Sequence, residues 1–512
     1  MGAAVIERTP APVTTGLGTT SRGRAIRTTA ALLPAVLAGA ALGLAMPRGP
    51  MTTGQAVVAL LVALAAGGLG GALLRSRRAA LLAPVLYAGS FELIRLGADG
   101  PSVDAIRFDT IGAAAAVFAG RGFDALVILL PMSVAALWAA AAVRERVMAT
   151  TRAARIGHGL RTTALVVATV VVVLTGAALV RPATTEPITG ADGEVLPGSV
   201  AELVTVPIGG VDQSLMIRGV DADAPVLLFL EGGPGGTAVG AMRFGGELLE
   251  RDFVVATWDQ RGTGRSADVR EPVATLTAEQ LVADTIEVTE YLRDRFDERK
   301  VYLVGNSWGN TLGVLAAAQR PDLFHALVGV GQMVSQRVTD ELMYAESLAY
   351  AESSGDDAFA DRLREIGPPP YEDAMTYPIV LSTNPEWLDY PRAPEYDGRT
   401  EYPANLLVSE YTLTEQVRAG AGLADTFAVV YPQLLGIDFR RDVPRLEIPV
   451  YVVQGAYEAE GRDVLAREWF AMLDAPTKEL VTFELGGHRA HFDDPVRFAA
   501  LMADVLEETY RG

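Results

Sequence analysis

Cysteine is absent from the 512 residues. That removes disulfides, thiol nucleophiles and thiolate-held metal sites from consideration. Histidine is nearly as scarce, with four residues at 158, 325, 488 and 491, so an imidazole base must come from a short list. Positive charge is sparse beyond residue 180, where 27 Lys and Arg face 55 Asp and Glu. So acidic a segment excludes nucleic acid as a partner, because phosphate binding needs clustered positive charge. Residues 1–180 lack lysine altogether and carry sixteen arginines against seven acidic residues. Opposite signs in the two parts imply different surroundings for each.

What fills the first part is apolar sequence. The runs 28–47, 51–74, 125–143 and 162–180 approach or exceed the roughly 20 residues that cross about 30 Å of hydrocarbon as helix. A fifth run, 79–97, is interrupted by Glu92 and Arg95. These two are three apart, share one helical face and could pair within a bundle. Segment 110–120 is apolar but too short to cross, and reads as a re-entrant, interfacial or packed helix. A cleavable signal peptide over 22–47 fits poorly, because another apolar run begins a few residues later. Arginine placement orients the array. Arg8, Arg22, Arg24 and Arg27 precede the first run, Arg75, Arg77 and Arg78 follow the second, and Arg144, Arg146, Arg152, Arg155 and Arg161 precede the last. The other connections hold only Arg48, Arg107 and Arg121. An N-terminal tail (1–27) in the cytoplasm and five spans over 28–180 satisfy this pattern. The expectation is a multi-pass cell-membrane protein, bilayer lipid as a partner, with everything after Arg181 extracytoplasmic.

From 200 onward, short β-rich runs alternate with amphipathic helical stretches, the pattern of a mostly parallel sheet. A hairpin is expected at 202–207 and 213–219. Buried strands follow at 226–230, 253–258, 301–305, 327–330, 450–454 and 480–484, with helices including 278–296, 309–319 and 462–473. The expected architecture is an eight-stranded α/β-hydrolase core (201–332 and 441–512), behind a linker (181–200) and the all-α transmembrane bundle. Residues 333–440, with three consecutive prolines at 368–370, read as an inserted helical cap.

The strand 301–304 runs into Gly305-Asn306-Ser307-Trp308-Gly309 and then a helix. This is G-x-S-x-G in a strand–turn–helix context, which projects a nucleophilic serine above the sheet. The hydroxyl needs a base, and in this arrangement the base follows the last strand. His488, on a glycine turn directly after 480–485, is preferred to His491. His158 lies in the apolar part, and His325, in the connection before a strand, reads as a surface residue. A carboxylate should follow the strand 450–454. Glu458 is preferred, with Glu460 and Asp463 close behind, to hold the imidazole tautomer. Oxyanion donors should come from the amide of Trp308 and from Gly232 or Gly233 in the loop after the third strand. Nothing in this set calls for a metal or cofactor.

These motifs resemble the proline iminopeptidase family of α/β hydrolases. The family carries H-G-G-P-G, D-Q-R-G-x-G-x-S, G-G-S-W-G, a G-x-x-D acid turn and a terminal G-H. This chain has Gly232-Gly233-Pro234-Gly235, Asp259-Gln260-Arg261-Gly262-Thr263-Gly264-Arg265-Ser266, Asn306-Ser307-Trp308-Gly309 and Gly487-His488. The resemblance spans about 200–512 and implies cleavage of amides or esters, typically removal of an N-terminal residue from short peptides. Small acyl esters are the alternative substrate, and a membrane sensor or transport component with a ligand-binding hydrolase-like domain is the alternative of another class. Glu231 stands where the family has histidine, and Glu458 where it has aspartate. A carboxylate at 231 must be protonated, paired (Arg261 is a candidate) or turned away. Asp259 and Arg261 read as loop scaffold. The family holds the substrate ammonium with cap carboxylates, for which Glu341, Glu346 and Glu352 are candidates.

Overall fold

The computed structural model describes residues 21–46, 50–97, 108, 111–143, 151–270, 273–381 and 384–510. Most of the tail 1–27 and Arg48, Arg107, Arg144 and Arg146 lie outside the described residues. Two compact units divide the chain, one built from most of the N-terminal helices and one containing Gly176–Gly512.

In the first unit, helices cover Ser21–Ala45, Thr53–Leu74 and Ala79–Arg95, and a further one is Arg152–Val180. Among the described residues, four segments are long and apolar enough to cross a membrane: Ala25–Ala45, Thr53–Leu74, Gly120–Val143 and Arg155–Val180. Ala79–Arg95, where a fifth span was expected, is helical over 17 residues. Segment 110–120 is not a separate element. Helix begins at Ile111 and continues through a π turn, Ala125–Leu129, into Leu130–Val143. Apolar side chains point outward on these helices, with Val173 and Leu174 each 63 % exposed. That is the reverse of the stripe that water selects.

The second unit is built on eight strands: β1 (Val200–Ile208), β2 (Val211–Gly219), β3 (Val226–Leu230), β4 (Val254–Asp259), β5 (Val301–Asn306), β6 (Phe324–Val330), β7 (Val450–Gly455) and β8 (Lys478–Phe483). Their order across the sheet is β1-β2-β4-β3-β5-β6-β7-β8. β1 and β2 form the expected hairpin, β2 runs antiparallel to β4, and all later pairs are parallel. β3, β4, β5 and β7 are buried along their whole length. Helices cover both faces, which is why these strands read as continuous apolar runs. The crossover Ala278–Phe296 matches its expected span. Its N-terminus is capped by Thr277, which accepts from the amide of Gln280, and its C-terminus by Asp297 in the left-handed region. The cap lies between β6 and β7 and is helical, chiefly Gln336–Ser354, Asp357–Ile366 and Leu413–Val430.

The segment expected as a linker is bonded to the rest of the second unit from its first residue. Arg181 donates to the carbonyls of Ser409 (3.2 Å) and Tyr411 (2.5 Å), and the Thr184 amide donates to Ser409 (2.9 Å). Arg218 of β2 donates to the Thr185 hydroxyl and the Glu186 carbonyl.

Arg261 and Asp284 form a buried two-point ion pair, Nε to Oδ2 at 2.8 Å and Nη2 to Oδ1 at 3.0 Å, with both side chains at or below 1 % exposure. It joins the loop after β4 to the crossover helix Ala278–Phe296. Removing one partner strands the other charge without water, which costs about 3–5 kcal/mol. Asp284→Ala should therefore lower unfolding free energy by about that amount in denaturant titration of the full chain in detergent. A loss below 1 kcal/mol would contradict this account.

Candidate active site

The chain leaves β5 and must reverse into the helix Trp308–Gln319 within one residue. Ser307 takes that turn at φ 55°, ψ −117°, a conformation costing a non-glycine residue about 1–3 kcal/mol. The turn closes only because the residues two positions to either side, Gly305 and Gly309, lack side chains. A Cβ on Gly309 would lie 1.9 Å from the Leu230 carbonyl oxygen, and one on Gly305 would lie 2.6 Å from Gly309. The Ser307 amide donates to Val330 O of β6 at 3.0 Å. Asn306 donates to Val330 O (3.2 Å) and to the carbonyl of His488 (3.0 Å). The elbow is thus tied directly to the histidine loop.

His488 follows β8 on Gly486-Gly487, and its Nδ1 lies 2.5 Å from Glu458 Oε2. Glu458 follows β7, and its side chain is 1 % exposed. Its other oxygen accepts from the Ala459 amide (2.9 Å) and from Arg462 Nη1 (3.1 Å). Burial by itself would raise its pKa, but the facing His488 and Arg462, through charge and hydrogen bonds, hold it down at about 2. Glu460 begins the following helix and Asp463 pairs with Arg467.

His491 is a core residue. It is 2 % exposed, packs against Phe229, Phe492 and Phe498, and burial pushes its pKa well below the ordinary value. His325 is not in a surface connection as expected. It lies in β6, half-buried and stacked on Tyr302, and burial lowers its pKa to about 4. His158 lies on the helix Arg152–Val180.

The loop after β3 carries the other expected donors. The Gly232 amide is engaged by Glu231 Oε1 at 3.0 Å. Of the residues named for the oxyanion, this leaves the amides of Gly233 and Trp308. Gln260, fully buried after β4, donates to the Glu231 carbonyl (2.9 Å) and accepts from Trp308 Nε1 (3.0 Å). Arg261 is not the partner of Glu231, because Asp284 takes it. The cation nearest the Glu231 carboxylate is Arg489, with Nη2 at 4.0 Å from Oε2, and Arg489 also bonds Glu401 and the Thr400 carbonyl. Asp259 is a scaffold residue. It is buried, accepts from the Arg265 amide and the Tyr411 and Thr237 hydroxyls, and burial raises its pKa to about 6.

Ser307, His488, Gly233 and Trp308 line one cavity of about 460 Å³ between the core and the cap. Its wall is largely apolar, with Met333, Leu381, Leu388, Leu423 and Phe427 among its residues. The expected cap carboxylates are elsewhere. Glu341 is exposed, Glu346 accepts from Trp387 Nε1, and Glu352 pairs with Arg364 at the surface. Among the described residues that line the cavity, none is a carboxylate, and the charged or titratable ones are Arg462, His488 and the Tyr431 phenol. Asn306, Gln260 and Arg462 had not been singled out for the site from the sequence. Arg462 could have been, since it stands four residues after Glu458, where a helical turn brings side chains together.

An eight-stranded, mostly parallel sheet with a serine elbow after β5 and a histidine after β8 defines an α/β hydrolase. Residues 228–501 match the model of the Alpha/beta hydrolase family, and the chain belongs to that family. It is 30 % identical over 305 residues to a "Probable aminopeptidase YbaC" of Bacillus subtilis, covering 59 % of this chain and 95 % of that one. Proline iminopeptidase of Xanthomonas citri is 33 % identical over 152 residues, 30 % of this chain and 45 % of that one. Human serine hydrolase BPHL is 28 % identical over 195 residues, 38 % and 60 % of the respective chains.

The depressed pKa of Glu458 has a pH consequence. A carboxylate that binds its proton less readily folded than unfolded contributes stability that is full above the unfolded pKa, near 4.5, and is lost as pH falls through about 2. Between those values, unfolding free energy should fall more steeply with acid in the wild type than in Glu458→Gln. Equal slopes would show that Glu458 is not held ionised. His491→Phe, which keeps an aromatic ring in a phenylalanine cluster, should retain most turnover.

Proposed function

We propose that the protein is a membrane-anchored serine hydrolase that cleaves ester or amide bonds through an acyl-enzyme. Ser307 is the nucleophile, His488 the base and Glu458 the group that orients it. The observation that carries this reading is the 2.5 Å contact of His488 Nδ1 with Glu458, at a cavity that Ser307 also lines. An ionised Glu458 keeps the proton on Nδ1, so Nε2 is left to accept the proton of Ser307 Oγ as that oxygen attacks the carbonyl carbon. The imidazolium passes the proton to the leaving alcohol or amine. Water then repeats the sequence on the acyl-enzyme and frees the serine. The amides of Gly233 and Trp308 serve the oxyanion, a donor set of the kind whose single members are worth about 10²–10³ in turnover. A domain that only bound ligand would need neither the strained serine nor an oriented imidazole.

For the substrate, the apolar cavity wall supports an uncharged acyl group. Removal of N-terminal residues is the second reading, favoured by the likeness to YbaC and to proline iminopeptidase. It requires a carboxylate for the substrate ammonium, because a desolvated cation needs a counter-charge.

The membrane part is read as five spans. The helix Ala79–Arg95 rises about 25 Å at 1.5 Å per residue, close to the hydrocarbon thickness. With it, Arg75, Arg77 and Arg78 and the arginines before the last span fall on the cytoplasmic side, and the hydrolase unit lies outside. Four spans would invert that placement.

Ser307→Ala and His488→Ala should each lower turnover of an activated ester by roughly 10⁶, and the double variant should be little worse, because the two act as a unit. A fluorophosphonate should label the wild type and not Ser307→Ala. Near-normal hydrolysis by Ser307→Ala would refute the mechanism. A reporter fused after Arg181 should be active only outside the cytoplasm and one fused near Arg152 only inside, and the opposite result would refute the five-span topology.

A further inference from the structure

His488 sits on a loop with little of its own to hold it. Gly486 and Gly487 separate it from the strand region before it, and glycine is the residue least restrained by local sterics. The backbone is bracketed from two sides instead. Asn306 donates to the His488 carbonyl at 3.0 Å. On the other side, the Gly487 amide donates to Oδ2 of Asp493 at 2.9 Å. Asp493 is fully buried and ends the short helix Ala490–Asp493 that follows the histidine. Its other donors come from the cap. Tyr390 Oη donates to the same Oδ2 at 2.9 Å, Arg392 Nε donates to Oδ1 at 3.0 Å, and the Ala393 amide donates to the Asp493 carbonyl at 3.1 Å. The Arg392 guanidinium also lies 4.1 Å from the centre of the Tyr390 ring, and that ring stacks at 5.3 Å and 11° on Tyr457, the residue before Glu458. Gly487 admits this approach, because a Cβ there would lie 2.5 Å from Tyr390 Oη. The cap segment therefore touches both the loop of the base and the loop of the acid. Trp387 and Leu388, at the start of the same segment, line the cavity.

We infer that Asp493 is a positioning residue for His488, held in place by Tyr390 and Arg392, so that core and cap aim the base jointly. This rests on the serine hydrolase reading and goes beyond it, because it makes the cap part of what orients the imidazole and not only a wall for the acyl group. A carboxylate suits the task. It accepts only, through two oxygens with about four lone-pair sites, so one side chain holds a core amide and two cap donors together. Glu458 sets the tautomer of the ring, and Asp493 sets where the loop carries that ring. A displacement of about 1 Å at a reacting group costs roughly 10² in rate, so a loop this lightly built needs such a tie.

The test uses the full chain in detergent and a 4-nitrophenyl ester. Tyr390→Phe removes one oxygen and leaves the ring on Tyr457. Asp493→Asn keeps the size but removes the charge and one of the two acceptor oxygens. Each should lower kcat about tenfold or more. KM should stay within about twofold, because acylation and deacylation both need the base and substrate binding does not. Arg392→Lys should keep most of the kcat that Arg392→Met loses, since a cation remains beside Asp493. Added to His488→Ala, Tyr390→Phe or Asp493→Asn should lower the residual rate no further, because the effect passes through the imidazole. Wild-type kcat in both single variants, a change confined to KM, or the same fractional loss with and without His488 would each overturn the inference. If Asp493→Asn does not fold, Tyr390→Phe carries the same comparisons by itself. A wild type that neither turns over the ester nor takes a fluorophosphonate would overturn the hydrolase reading, whereas an active, labelled wild type with unaffected variants overturns this inference alone.

Discussion

The site depends on one backbone reversal, in which Ser307 is held at φ 55° between β5 and the helix that follows. Nothing in the serine favours that conformation. It persists because the surroundings over-determine it: the Ser307 amide is bonded to β6, Gly305 and Gly309 are pressed against neighbouring backbone, and the helix beyond is packed into the core. The central parallel strands fix the spacing of those partners. The strain of one residue is thereby spread over bonds that the sheet makes in any case, and the hydroxyl is presented where the histidine loop and the β3 loop converge.

Charge follows the same economy. The glutamate behind the imidazole is gripped from two sides, by His488 and by Arg462, and the glutamate at the start of the β3 loop turns inward to its own next amide with Arg489 nearby. Glu231 departs from the family pattern, yet it occupies a backbone donor and faces a cation. In the proposed mechanism, the developing negative charge at the scissile carbonyl is served by the amides beyond it.

Much of this was legible in the sequence, for local reasons. Strands buried on both faces must be continuous apolar runs, so the central ones were readable as such, the edge strands were read from the β-rich runs beside them, and the crossover Ala278–Phe296 announced itself by its amphipathic helical pattern. The elbow and the glycine turn before His488 were readable because close backbone approach admits only glycine. What failed was partner choice across distance. Arg261 was the natural candidate for Glu231 because it stands in a motif beside it, but Asp284, on a helix the motif does not include, claims it at two points. The cap offered many acids and no pattern, so sequence had no means to tell that Glu341, Glu346 and Glu352 all stay out of the cavity wall. Segment 110–120 was judged by its length alone, and its helix in fact runs on into the next apolar run without a break.

Gln260 carries a mechanical consequence. Its amide nitrogen holds the Glu231 carbonyl directly after β3 and its amide oxygen holds the Trp308 indole after β5, while Gln260 itself directly follows β4. A backbone carbonyl can only accept and an indole N–H can only donate, so the amide has one permitted orientation and Glu at this position would fail at one end. Three neighbouring strands are pinned by a single side chain at the ends that carry the proposed site. Sliding any one of them by a residue, about 3.3 Å, breaks a pin, so the sheet resists shear most beside that site.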